Sequence, residues 1–164
     1  MWITARNAVS RYLKEVMGVR IVHNYPRIRD DKHMADYLDL MISPEESRIN
    51  AWSISRLSLT SSFVSNKHIL VVHEGRLTGV LEHNDEKNSQ DEFDGIIDRI
   101  LLRFFSTFNL GGAVEIQGPA ALLEEGFDTV AATFVHRAEI QIALQQRIHV
   151  ENNQWQLLMG SSQS

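Results

Sequence analysis

Cysteine is absent from the 164 residues, which removes disulfide scaffolds, thiolate metal sites, iron–sulfur clusters and cysteine nucleophiles together. A reducing compartment fits that absence. No run approaches the roughly 18 apolar residues that span a bilayer. The opening Met1, Trp2, Ile3, Thr4, Ala5 and Arg6 lacks the basic-then-apolar order of a signal peptide, so no membrane and no export are expected. A basic excess is missing too. Lys and Arg number 16 against 21 Asp and Glu, a formal charge of −5, whereas nucleic-acid binding is driven by cations that neutralise phosphates. The deficit is local: from Glu82 to Asp128 there are 11 acids against Lys87, Arg99 and Arg103, while residues 1–42 carry 7 bases and 5 acids.

Several chemical signatures are lacking as well. No phosphate-binding glycine loop, no glycine fingerprint after a strand and no serine elbow occurs. Gly111 and Gly112 precede a strand pattern, which is turn chemistry. The seven histidines, His23, His33, His68, His73, His83, His136 and His149, include no pair four apart on a helical pattern, so they read as scattered structural or surface residues. No metal, cofactor or catalytic residue is expected. Asp91, Asp94 and Asp98 stand three and four apart and could line a helix flank, where paired acids do acid–base work or hold Mg²⁺; the simpler reading is a solvated helix face.

What is present is an ordinary globular balance, 43% apolar and 23% charged, in a length that buries one real core. Residues 1–150 are expected to form a single domain and 151–164 a flexible extension. Ala5, Ala8, Val9, Tyr12, Leu13 and Val16 recur at helical spacing over 4–17, with Thr4 as N-cap and Gly18 as the left-handed stop. A short strand at 19–23, a helix over 31–42 and a strand over 48–57 follow. The polar stretch 58–66 reads as a mobile hairpin loop leading to the apolar strand 68–73, and 81–88 as a charged loop.

Ser89 and Glu92, three apart, fit a reciprocal capping box, and Phe93, Ile96, Ile97, Ile100, Leu101, Phe104, Phe105 and Phe108 then predict the main core helix. A strand at 113–117 and a Gly118, Pro119 turn come next, and 127–130 is ambiguous. The strongest alternation places Phe134, His136, Ala138, Ile140, Ile142 and Leu144 on one face of a long strand. Two to three helices and about five strands give an α+β domain, a mainly antiparallel sheet with the helices packed on one face. Phe63 and Val64 in the hairpin loop, and Trp155, Leu157 and Leu158 near the end, are apolar groups among polar neighbours, a pattern of interface anchors or of ordinary surface.

The order of these elements carries a likeness. An opening helix, a strand ending in His23 and Asn24, a strand from Arg48 to Arg56 containing Trp52, a hairpin to 69–73, an aromatic-rich helix, Leu110 to Val114, Gly118 with Pro119, and a long strand through Arg137, Ala138, Glu139 and Ile140 resemble the tail-terminator and tail-completion proteins of long-tailed bacteriophages over about residues 3–148. The resemblance implies a non-enzymatic virion protein of the phage neck, assembled in the host cytoplasm. It would form a ring, usually a hexamer, on the end of the tail tube, stop tube polymerisation and present its other face to the head connector.

DNA would pass through the lumen without specific binding, and Glu82, Asp85, Glu86, Asp91 and Asp94 are the candidate lining that keeps the polyanion sliding. A cyclic ring repeats one heterologous contact, so two different patches must meet. The outer portion of the long strand and the 58–66 loop are the candidates. The extension 149–164 departs from such compact proteins. A head-completion or head-to-tail adaptor is the near alternative, and a small metal- or carboxylate-dependent hydrolase the distant one.

Overall fold

The computed structural model describes residues 1–24, 34–111 and 114–150. The elements run α1 (Trp2–Lys14), β1 (Ile21–His23), α2 (Met34–Met41), β2 (Ile42–Ser43), β3 (Arg48–Ser65), β4 (His68–Glu82), α3 (Ser89–Ser106), β5 (Val114–Ile116), β6 (Ala121–Val130) and β7 (Thr133–His149). The fold is α+β with a mostly antiparallel sheet, as the pattern predicts. Strand order is β1-β3-β4-β7-β5, with β2 on β3 and β6 on β7, and only β1 with β3 is parallel among the described pairs.

One sheet face is covered by the two long helices. Ala5, Ala8, Val9 and Leu13 of α1 and Phe93, Ile96, Ile97, Ile100 and Phe104 of α3 bury against Trp52, Ile54, Leu77, Ala138, Ile140, Ile142 and Leu144. The short α2 belongs to a smaller cluster on the other side, Met41 with Ile49, Ala51, Val80, Val130 and Val135. The predicted α1 boundaries shift. The helix ends at Lys14 with Glu15 as its C-cap, Met1 occupies the N-cap position instead of Thr4, and Gly18 takes φ +95 three residues past the cap.

The largest differences concern β3 and β4. The predicted 58–66 loop is strand: β3 runs to Ser65 and pairs with β4 down to Ser65 opposite His68, making a long two-stranded ribbon. Its outer side chains are exposed, so no alternation marks them as strand. The interval 74–80 is strand as well, because inward positions Gly75 and Gly79 interrupt the apolar pattern for a steric reason. A Cβ on Gly79 would lie 2.5 Å from the Trp52 ring, and one on Gly75 would lie 3.2 Å from Ile142. The sheet needs glycine there so that larger neighbours can lie flat across it.

β6 extends the ambiguous 127–130 back to Ala121, and its hairpin to β7 turns on Ala131 and Ala132 at φ 46 and 63. Turns with two positive φ values favour Asn and Gly, so two alanines hid this hairpin. β7 runs through the middle of the sheet, with β4 on one side and β5 and β6 on the other. Among the described residues strands therefore lie on both sides of the long strand as far as Gln146, and beyond it only β4 pairs with 147–149.

Candidate functional site

Four of the five predicted acids gather where β4 hands the chain to α3. A 3₁₀ turn, Asp85–Lys87, is closed by the Asn84 side chain accepting from the Lys87 N–H, and Asn88 follows at φ 49. Asp85 stands in solvent 3.1 Å from His83 Nε2, and Glu86 is exposed. Asp91 accepts from the Asn88 amide and Asp94 from Gln90 at 2.6 Å. Glu82 does not join them. Its carboxylate accepts the Ile49 N–H at 3.0 Å and holds the start of β3.

Glu125 of β6 completes this acidic pole. Though the residue is exposed, its carboxyl is pushed up by partial desolvation, then by a hydrogen bond and repulsion from Asp94, and by Asp98, against a lowering hydrogen bond from Gln90. Sequence reasoning missed it because nothing in the pattern placed β6 beside α3.

The capping box is not formed. Glu92 reaches across to β3, where the Arg48 guanidinium donates to both its carboxylate oxygens and also to Glu46. The Glu92 bonds come first in raising the Arg48 pKa. Burial pushes the Glu46 carboxyl up, but hydrogen bonds from Arg48 and Arg20 outweigh it and leave the group below its ordinary value.

Ser89 is likewise taken elsewhere. Its hydroxyl accepts the Asn84 N–H at 2.8 Å and lies 2.8 Å from His136 Nε2, which is itself 3.2 Å from His83 Nδ1. His136 sits among Phe93, Phe127 and His83, with ring centroids 5.7, 5.0 and 5.0 Å away. Burial and then the His83 charge lower its pKa, against raising contributions from Asp94 and Asp85, so it is neutral at pH 7. A serine beside a histidine is the geometry of an activated nucleophile. Here Ser89 is 1% exposed and its oxygen already receives a backbone N–H, so the pair ties α3 to β7.

The opposite sheet face holds a cavity of about 350 Å³ lined in part by Ser53, Ser55, Thr78, Arg76, Arg137 and Glu139. The buried Glu139 carboxylate lies 3.1 Å from Arg76 and pairs with Arg137, which also lies 3.7 Å from Glu124 and from Asp128. These charges neutralise one another locally, and the network braces β4, β6 and β7 together.

Three sets among the exposed apolar groups of the described residues bear on contacts. Phe63 and Val64, predicted as anchors, are 72% and 50% exposed near the end of the β3–β4 ribbon. Leu122, Leu123 and Phe127 stand along β6. The third set joins Met17 to Leu102 and Phe105 near the end of α3; Phe105 and Phe108, predicted for the core, are 69% and 77% exposed. An advance of about 100° per residue turns Phe105 and Leu102 away from the line through Phe93, Ile97 and Phe104. Phe108 lies beyond the helix, whose C-cap is Thr107. A narrower stripe would have separated them. Trp155, Leu157 and Leu158, with the extension 151–164, lie outside the described residues.

No family model matches the chain, and no curated protein matches it. Among solved structures, 31 chains match, and one of them is 13% identical over 92% of this chain and 96% of its own, with a TM-score of 0.49 and a name silent on function.

Proposed function

We propose that this chain is a structural subunit of a phage neck, a ring-forming tail terminator that caps the tail tube and joins it to the head connector. The observation that carries the reading is apolar surface exposed on separate elements, Met17 with Leu102 and Phe105 beside α3 and Leu122 with Leu123 and Phe127 along β6. Large apolar side chains clustered in solvent mark contact surfaces, and a head-to-tail ring uses two unlike patches on each subunit.

The acidic pole of Asp85, Glu86, Asp91, Asp94 and Glu125 supports the same reading. Like-charge repulsion would let a duplex slide past without gripping it. The tested consequence is assembly. The purified chain should form a closed multimer in solution or on tail tubes, and particles lacking it should carry overlong tails. A chain that stays monomeric in both settings, or mutant particles with tails of normal length, would end the proposal.

A further inference from the structure

Two sheet margins are bare among the described residues. On one side β6 pairs with β7 only, and every residue from Ala121 to Thr129 is exposed. On the other, β1 and β2 cover β3 only as far as Ser53, so the outer edge at residues 56–62 has no partner strand. Such edges carry rows of unsatisfied N–H and C=O groups and are templates for another strand, which is why monomeric proteins blunt them with lysine or proline. β6 contains neither.

Resting on the ring reading above, we infer that neighbouring copies join by strand addition: the β6 edge of one subunit pairs antiparallel with the open β3 edge of the next. Three observations select this occupant. Direction alternates across β3, β4, β7 and β6, so a copy placed head to tail presents β3 antiparallel to β6 without inversion. Charge is complementary. β6 carries Glu124, Glu125 and Asp128 and no base, whereas the open stretch of β3 carries Arg56 and no acid. A twofold β6–β6 pair would set acid against acid, which disfavours facing strands.

The third is register. β6 lies beside Thr133 to Gln141 of β7, level with 76–82 of β4 and so with the first part of β3, while the open edge lies farther along, at 56–62. Each copy is therefore displaced along the strands by several residues of about 3.3 Å. Strands inclined to the axis of a closed assembly require a stagger of this kind. The register shifts between Leu122 and Glu124 and between Arg56 and Ser58 leave 124–130 of β6 and 58–62 of β3 as the regular stretches.

Because the chain has no cysteine, introduced pairs report without background. Thr129→Cys is combined in turn with Leu57→Cys, Leu59→Cys, Thr60→Cys and Ser61→Cys, all at exposed positions, and the full-length chain is oxidised at concentrations where it associates. Disulfides form only where Cα atoms lie about 4.4–6.8 Å apart. At least one double variant should give a ladder at multiples of 18.7 kDa, and every single variant should remain one chain long. Multimers by mass with no ladder in any double variant would overturn edge pairing and leave the ring reading standing. Linkage of Thr129→Cys alone would overturn it in favour of a twofold contact, and a chain monomeric under all conditions would remove the ring reading with it.

Discussion

The helix-covered part of the sheet and its bare ribbon are built from the same strands to opposite effect. Where β3 carries Trp52 and Ile54, both about 1% exposed, α1 and α3 lie over it, and Trp52 stacks on Phe93 at 6.1 Å. Past residue 55 the same strand shows Leu57, Leu59, Phe63 and Val64 to solvent, 41–72% exposed. Pairing with β4 runs through both regions, unbroken over 50–56 and with register shifts between Arg56 and Ser58 and between Phe63 and Ser65 in the ribbon. Among the described residues the difference is cover: two helices lie over the first region and none over the second.

Substitutions should separate the two regions by size of effect. Phe93→Ala empties the space between Trp52 and His136 and should cost about 3–5 kcal/mol in chemical denaturation; a cost below 1 kcal/mol would mean the region is not the core. Gly79→Ala puts a methyl into the Trp52 ring, for an expected loss of about 1–3 kcal/mol by the same measurement.

Acid tests the covered side differently. Burial lowers the pKa of His73, which lies 2.9 Å from Gln146, and of His136. For a group whose folded pKa is depressed, the stabilisation is full above the unfolded value of 6.5 and fades as pH falls through the folded one. Denaturation midpoints should therefore decline from pH 7 to pH 5, and His73→Gln should flatten the decline. Glu125 runs the other way, because its raised pKa favours the protonated folded form below 4.5 and costs stability as pH rises past it. Glu125→Gln should gain a few tenths of a kcal/mol at pH 7 and nothing at pH 4.

At the exposed positions, Phe105→Ser on the outer side of α3 and Val64→Ser in the ribbon should leave monomer stability within about 0.5 kcal/mol. Their expected effect is on self-association, read by sedimentation across concentrations. A large loss of monomer stability would contradict the exposure of these side chains.

Much of the covered side was legible because helical and alternating periods record burial directly. The α1 stripe, most of the α3 stripe and the inward face of β7 from His136 to Leu144 follow from spacing, whereas Phe105, Phe108 and Phe134, expected on those faces, are exposed. Failures gathered where side-chain identity answers to something distant. Ser89 and Glu92 satisfy the local capping rule yet serve His136 and Arg48, which lie 47 and 44 residues away. Of the five acids predicted to act together, Glu82 is claimed by a backbone N–H of β3, and Glu125 arrives from a strand that local pattern did not reveal.

Composition and period by themselves determined an α+β domain free of thiol chemistry, with one dominant core helix and one long strand, since burial imposes its own rhythm on apolar residues. Only the tertiary structure decided that Gly75 and Gly79 belong to a strand, that β7 has strands on both sides, and that two sheet margins have no partner strand among the described residues. Those outcomes depend on which residues meet across the sheet, and a contact between distant parts of the chain leaves no periodic mark on either.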